Sequence, residues 1–157
     1  MTSTVEVNSP VVKLGSQGQA VKDLQVLLNQ TVAAKLSVDG IFGAQTEAAV
    51  KTTQSIFFLE IDGIVGAKTW TVLRTNEPIE MPVLSRGSKG DLVRRVQAVL
   101  KEASYYTGNL DGDFGSKTEA AVTAFQKNQK WSVNRLGVID QKTWKGLASL
   151  AMFFALD

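Results

Sequence analysis

The feature that most constrains the fold of this 157-residue chain is an internal repeat. When the sequence is shifted by 72 residues, residues 15–54 align with residues 87–126 without a gap, and 16 of the 40 positions are identical. Beyond residue 54 the shift becomes 74, which aligns Lys68-Thr69-Trp70 with Lys142-Thr143-Trp144. Two copies are too few for a solenoid, so the repeat predicts two similar domains in tandem.

The domain boundaries follow from the repeat and from the polar segment between its copies. Residues 76–83 hold two of the three prolines together with Glu77 and Glu80, a composition typical of a linker. We therefore predict an N-terminal arm at 1–12, a first module at 13–75, a linker at 76–83 and a second module at 84–157. The second module ends in an apolar tail, residues 148–156.

Each copy contains three segments in which apolar residues recur at helical spacing. In the first copy they predict helices over residues 18–30, 44–57 and 67–74. In the second copy the last two helices are predicted over 116–129 and from 141 to about 155. No segment has a convincing strand pattern, so the predicted fold class is all-α, with two similar three-helix bundles in tandem.

Local signals predict how the helices begin and what they pack around. Ser16 with Gln19 fits a capping box, as does Ser88 with Asp91 in an acidic form. Asp140 and Gly66 are predicted caps of the third helices. Trp70 and Trp144 recur inside apolar turns and are predicted core anchors, and Asp39-Gly40 and Asp111-Gly112 are predicted turns that dock Phe42 and Phe114 in the core.

The composition excludes several classes of function. The chain has no cysteine and no histidine, which removes disulfides, thiol nucleophiles, Ser-His-Asp triads and the common zinc sites. The net charge of +2 does not indicate nucleic acid, although residues 84–157 alone carry +4. We predict no membrane span, because the longest apolar run is about ten residues, and no classical signal peptide at the N-terminus.

The motifs that occur in both copies resemble those of a known family. Gly-Ser-x-Gly-x-x-Val, then Asp-Gly-x-Phe-Gly-x-x-Thr-x-x-Ala-Val, a glutamine and Thr-Trp-x-x-Leu occur in both copies. They lie at 15–28, 39–50, Gln54 and 69–73, and again at 87–100, 111–122, Gln126 and 143–147. This pattern resembles the bacterial peptidoglycan-binding module of the three-helix type, and the resemblance covers most of the chain.

The resemblance implies a module that tethers wall-acting proteins to peptidoglycan, and the two copies depart from the pattern differently. The first copy has Thr53 where the second has Phe125. The second copy lacks Asp-Gly before its third helix, reading Leu136-Gly137 where the first has Asp62-Gly63. Such differences indicate that one copy binds ligand and the other serves structure.

The candidate ligand-binding residues lie in the non-helical connections of the second copy. Aromatic faces can stack on sugar rings, and amide or guanidinium groups can bind hydroxyls and carboxylates. On this basis we predict binding by Tyr105, Tyr106, Asn109, Trp131, Asn134 and Arg135. The alternative is that these aromatic side chains complete a small core.

Other motifs give weaker signals. Asn109-x-Asp111-x-Asp113 resembles the start of a calcium-binding loop. The loop glycine is not at the sixth position, however, and the twelfth position holds Ala120 instead of the required glutamate. Paired carboxylates alone do not make a glycosidase without a cleft. We therefore predict no catalytic residues, no metal and no cofactor. The tail either lengthens the last helix and covers the gap between the modules or docks another protein.

The predicted function is non-catalytic binding of cell-wall peptidoglycan, glycan and stem peptide, by two tandem modules. The alternative is a structural or assembly subunit of a phage tail or contractile injection machine that uses the same modules for wall attachment or protein docking. A cell-wall hydrolase or a larger assembly is a further candidate partner through the C-terminal tail. The expected site of action is the cell wall or periplasm, or a virion or injection particle.

Overall fold

The computed structural model describes residues 9–156, so most of the predicted N-terminal arm lies outside the described residues. Within that range the chain forms six helices and no strand, and four isolated bridging pairs link segments outside the helices. The helices are α1 Gln19–Val32, α2 Ala44–Ile56, α3 Ala67–Thr75, α4 Asp91–Glu102, α5 Ser116–Lys127 and α6 Gln141–Leu156. The all-α fold predicted from the repeat is confirmed.

The chain divides into two compact units between Ile79 and Glu80, inside the predicted linker. In each unit, the segment before the first helix is bound to the tryptophan of the third helix. The indole nitrogen of Trp70 donates to the carbonyl of Pro10 at 2.8 Å, and the indole of Trp144 donates to the carbonyl of Pro82 at 2.7 Å. Both units thus begin with a segment that is fixed to the tryptophan of their own third helix.

The predicted capping boxes are wrong. The residue before α1 is Gly18 and the residue before α4 is Gly90, and neither helix start has a side-chain cap. Ser16 and Ser88 instead accept hydrogen bonds from main-chain N–H groups three residues earlier, at 3.0 Å. Gly18 and Gly90 have φ near 120°, a conformation that L-residues rarely adopt, so these helix starts favour glycine. The predicted cap at Asp140 is confirmed by its bond to Thr143 N.

The glycine-serine motif at the start of each module pairs with the aspartate-glycine loop. Gly15 N donates to Phe42 O at 3.0 Å, Phe42 N donates to Ser16 O at 2.9 Å, and Gly18 N donates to Gly40 O at 2.9 Å. Phe42 is buried as predicted. The same three bonds recur at the corresponding positions of the second module. The shared motif therefore holds the segment before the first helix of each module against the segment before its second helix.

Each module packs around its tryptophan. Trp70 and Trp144 are almost fully buried, as predicted, together with Leu24, Leu28 and Leu73 in the first module and Leu100 and Leu147 in the second. Burial of large apolar side chains is the main source of stability in domains of this size. Packing of these side chains holds the three helices of each module together, and the helices in turn position the loops between them.

A buried glutamine holds each inter-helix loop of the first module; we call this arrangement a glutamine clamp. Gln25 on α1 is fully buried. Its Nε2 donates to Asp39 Oδ1, Ile41 O and Thr46 Oγ1 at 3.0–3.2 Å, and its Oε1 accepts from Gly40 N at 2.9 Å. One side chain thus satisfies the buried polar groups of the loop and the first turn of α2.

Among the described residues, a glutamine clamp occurs four times. Gln54 on α2 binds the Asp62–Ile64 loop and Thr69 of α3, with the same set of donors and acceptors. Gln97 on α4 does the same for the Asp111–Asp113 loop. The fourth clamp is centred on Gln126 of α5.

The fourth clamp differs from the other three. Gln126 Nε2 donates to Arg135 O, Val138 O and Thr143 Oγ1, and its Oε1 accepts from Gly137 N at 2.8 Å. No carboxylate takes part, because Leu136 stands where the other three loops have aspartate. The loop between α5 and α6 is therefore held by main-chain carbonyls and by Thr143.

The apolar tail is helical, since α6 runs to Leu156. Phe153 and Phe154 are in edge-to-face contact 5.2 Å apart, and the ring of Phe153 is 59% exposed. Docking of another protein on this segment stays a prediction. Among the described residues, no helix is both long and apolar enough to cross a membrane.

Candidate functional site

The first group of predicted ligand residues lies between α4 and α5. Tyr106 is buried and its hydroxyl donates to Asn109 O at 2.6 Å, so its ring packs inside the module and offers no open face to a sugar. Tyr105 is partly exposed, and its hydroxyl accepts from Asn128 Nδ2 at 2.7 Å. The side chain of Asn109 is exposed.

The second group lies between α5 and α6. Asn134 and Arg135 are exposed, and Asn134 Nδ2 donates to Asp140 Oδ2 at 3.2 Å. Trp131 is partly exposed, and its Cζ2 atom lies against α6 at Gly146. A side chain at Gly146 would come within 2.7 Å of that atom, so the glycine makes room for the indole.

Tyr105 and Trp131 both lie near Phe125 in the second module. Tyr105 contacts Phe125 edge to face at 5.7 Å, and the rings of Phe125 and Trp131 both lie against α6 at Gly146. Both outer rings keep part of their surface accessible. Of the predicted aromatic residues, these two therefore form a partly open aromatic corner, and whether they bind ligand stays a prediction.

A groove that no sequence pattern predicted runs along the exposed face of α5, and we call it the α5 groove. It has a volume of about 380 Å³. Alanine and leucine form its apolar part, and hydroxyl or charged groups surround them. The lining residues are Ser116, Glu119, Ala120, Thr123, Ala124, Lys127 and Leu136.

The loop that contains Arg135 forms one wall of the α5 groove. A side chain at Gly137 would lie 2.9 Å from Glu119 Cγ and 3.3 Å from Thr123 Oγ1, so the loop rests directly on α5. Leu136 is 52% exposed and faces the groove. Two of the predicted ligand residues, Asn134 and Arg135, are therefore adjacent in sequence to the groove wall.

The acidic motif Asn109-x-Asp111-x-Asp113 has a structural explanation. Asp111 Oδ1 accepts hydrogen bonds from Asp113 N and from Gln97 Nε2, and these bonds hold the pKa of Asp111 below its usual value. Asp113 pairs with Lys89 at 3.3 Å. Among residues 9–156, no three acidic side chains come together as metal ligands.

The clamps were detectable in the sequence. Besides the long repeat, the first module repeats Asp-Gly-Ile-x-Gly-Ala-x-Thr within itself, at 39–46 and at 62–69. Each copy follows a glutamine, and each ends on the threonine that the glutamine binds. This short repeat would have predicted the clamps and marked Leu136 as the exception.

The family model described as "Putative peptidoglycan binding domain" matches residues 17–73 and again residues 89–147, which together make up well over half of the chain. The chain therefore belongs to the peptidoglycan-binding domain family, in two tandem copies, and the resemblance noted in the sequence is confirmed.

Three solved structures are similar to parts of the chain. The SleB N-terminal domain is 35% identical over 44% of this chain and 94% of that one, with a TM-score of 0.42. A Burkholderia AP3 phage endolysin is 27% identical over 74% of this chain, with a TM-score of 0.43. A fused Zn-dependent amidase/peptidase/peptidoglycan-binding domain protein of Clostridium acetobutylicum is 29% identical over 61%, with a TM-score of 0.40. The chain spans only 38% and 42% of the length of the last two.

Proposed function

We propose that this chain binds bacterial cell-wall peptidoglycan without cleaving it, and that the second module makes the main ligand contacts. The observation that carries the proposal is the match of both modules to the peptidoglycan-binding family. Association with the cell wall follows from that activity. The exposed side chains differ between the two modules, and we use these differences to assign the ligand contacts to the second module.

The exposed chemistry of the second module suits a polymer of sugars and short acidic peptides. Trp131 and Tyr105 offer aromatic surface at the partly open corner, and Arg135 offers a guanidinium group to carboxylates. The second half of the chain also carries a net charge of +4. Cationic surface raises the rate of encounter with an anionic polymer, and the effect falls as salt increases.

Co-sedimentation with purified sacculi tests the proposal. The chain should sediment with intact sacculi at low salt and should stay in solution after muramidase digestion of the sacculi. Sacculi incubated with the chain alone should release no soluble fragments. Failure to sediment at low salt would overturn the binding proposal, and release of fragments would overturn the non-catalytic part.

A pair of matched variants tests the assignment to the second module. Asn134→Ala with Arg135→Ala removes two exposed side chains, while the main-chain bond from Gln126 to Arg135 O is kept. The corresponding change in the first module is Glu60→Ala with Ile61→Ala, which also alters exposed side chains. The second-module variant should sediment less than wild type, by about 10-fold in affinity if both contacts are lost. Equal losses from both variants would contradict the assignment.

A further inference from the structure

The one glutamine clamp without an aspartate lies beside the α5 groove. In the first module, Asp62 Oδ1 accepts from Gln54 Nε2 and from Ile64 N, so its carboxylate is drawn into the clamp. In the second module, Leu136 has no such bonds and lines the α5 groove. The substitution that weakens the clamp therefore also provides an apolar wall for the groove.

A second difference between the modules opens the same face. Lys51 of the first module corresponds to Thr123 of the second. The aliphatic part of Lys51 lies against the loop at Gly63, where Cε would be 3.1 Å from an added side chain. Thr123 is much shorter, and it lines the α5 groove. The lysine therefore covers in the first module the region that is open in the second.

Three further differences alter the lining of this face. Ser116, Ala124 and Lys127 of the groove correspond to Ala44, Thr52 and Ser55 in the first module. No ion pair or hydrogen bond joins the amine of Lys127 to any described residue. At the other end of the groove, Glu119 pairs with Arg86 at 2.7 Å. The groove thus has an apolar centre, hydroxyl groups along it and a free cation at one end.

We propose that the α5 groove binds the stem peptide of peptidoglycan, with its carboxylate at Lys127. This inference rests on the proposed function and names the part of the polymer that the second module recognises. Stem peptides are short, rich in alanine and carry carboxylates, so their methyl groups match Ala120, Ala124 and Leu136. The hydroxyls of Ser116 and Thr123 are placed to bond peptide N–H and C=O groups.

The length of the groove suits such a peptide. Glu119 and Lys127 are eight residues apart on one helix, about 12 Å at roughly 1.5 Å per residue. An extended peptide covers about 3.4 Å per residue, so about three to four residues span that distance. The glycan strand also carries methyl groups and, once the peptide is removed, carboxylates, but it lacks the continuous peptide main chain that the hydroxyls of Ser116 and Thr123 are placed to bond.

The test exchanges the residues by which the modules differ. Thr123→Lys introduces the side chain that the first module carries at this position, and Lys51→Thr is the matched change in the first module. Both positions lie on helix surfaces, and unchanged thermal unfolding would verify the fold. Binding of a soluble stem tetrapeptide to the full chain is measured by calorimetry. Competition for sacculi is measured with the tetrapeptide and with glycan strands freed of peptide by an amidase.

The tetrapeptide should compete with sacculi, and peptide-free glycan should compete poorly. Thr123→Lys should weaken tetrapeptide binding at least 10-fold, Lys127→Gln about three- to tenfold, and Lys51→Thr should have no effect. If wild type binds sacculi but Thr123→Lys binds tetrapeptide like wild type, the groove inference fails and the proposed function stands. If peptide-free glycan competes as well as the tetrapeptide, the groove inference likewise fails. If wild type does not bind sacculi, both fail.

Discussion

The two modules share a scaffold and differ where a ligand can reach them. In both, a glycine-serine segment pairs with an aspartate-glycine loop, and a tryptophan of the third helix holds the segment that enters the module. They diverge at the loop before the third helix, where Asp62 is replaced by Leu136. The residues named here that the copies share thus build the fold, and the exchange of Asp62 for Leu136 changes the accessible surface.

The modules also fill the core next to their third helix in different ways. The first module has Thr53 and Val72 at positions where the second has Phe125 and Gly146. Val72 is fully buried, whereas Gly146 leaves room for Trp131 and Phe125. The second module therefore has more aromatic volume at this place, with Phe125 on the helix and Trp131 on the loop, and part of the indole of Trp131 lies at the surface.

Loss of either buried tryptophan should have the largest effect on stability. Trp70→Ala and Trp144→Ala each leave a large cavity and an unpaired carbonyl, at Pro10 or Pro82, and should cost about 3–5 kcal/mol. Chemical denaturation followed by the fluorescence of the remaining tryptophans measures the loss. Phe153→Ala, at an exposed ring, is the control and should change stability little. A small effect at either tryptophan would contradict its role as a core anchor.

The clamp of Gln54 should stabilise the chain more than the clamp of Gln126, because their hydrogen-bond partners differ. Gln54→Leu and Gln126→Leu each leave a buried glycine N–H and a threonine hydroxyl without a partner, at a cost of about 1–3 kcal/mol. Gln54→Leu should cost more, because Gln54 also donates to a carboxylate, and charge-assisted bonds are stronger. Urea denaturation of both variants makes the comparison, and a larger loss at Gln126 would contradict the ranking.

A methyl group added at Gly146 tests the exchange of core volume. Gly146→Ala gains helix propensity of about 1 kcal/mol but brings a carbon to 2.7 Å from Trp131 Cζ2. The net result should be a loss of about 1 kcal/mol and a change in Trp131 fluorescence. With Trp131→Ala in the background, the same substitution should stabilise the chain. A gain in the presence of Trp131 would show that the indole does not need the glycine.

The loop carboxylates should give the smallest effect, seen only in acid. Hydrogen bonds from Ile41 N and Gln25 lower the pKa of Asp39, and bonds from Asp113 N and Gln97 lower that of Asp111. Because the folded pKa lies below the unfolded value of about 3.9, this stabilisation is complete above about pH 4 and is lost as the pH falls through the folded pKa.

The variant Asp39→Asn with Asp111→Asn keeps an acceptor oxygen and removes the charge. Its melting temperature should fall less than that of wild type between pH 5 and about pH 2.5. Asp23→Asn, at an exposed position on α1, is the control and should follow wild type. Parallel curves for wild type and the double variant would show that the carboxylate charge does not contribute to the clamps.

The sequence predicted the fold better than the surface. Periodicity and the repeat located five helices to within about two residues, and the apolar spacing around Trp70 and Trp144 identified the core. The predicted capping boxes are wrong because glycines at positive φ precede these helices. A pattern of side chains does not indicate that main-chain geometry. The α5 groove was not predicted because the sequence shows that Thr123 and Leu136 replace Lys51 and Asp62, but not that these two residues line one groove.

The most direct test of the account follows each backbone amide of the full chain by NMR while a disaccharide-tetrapeptide is added. We predict that the largest shift changes fall in the second module, on α5 and on the loop from Trp131 to Gly137. The corresponding residues of the first module, α2 and the loop from Phe57 to Gly63, should change little. Equal changes in both modules, changes confined to the first, or no changes at a concentration that releases the chain from sacculi would contradict the account.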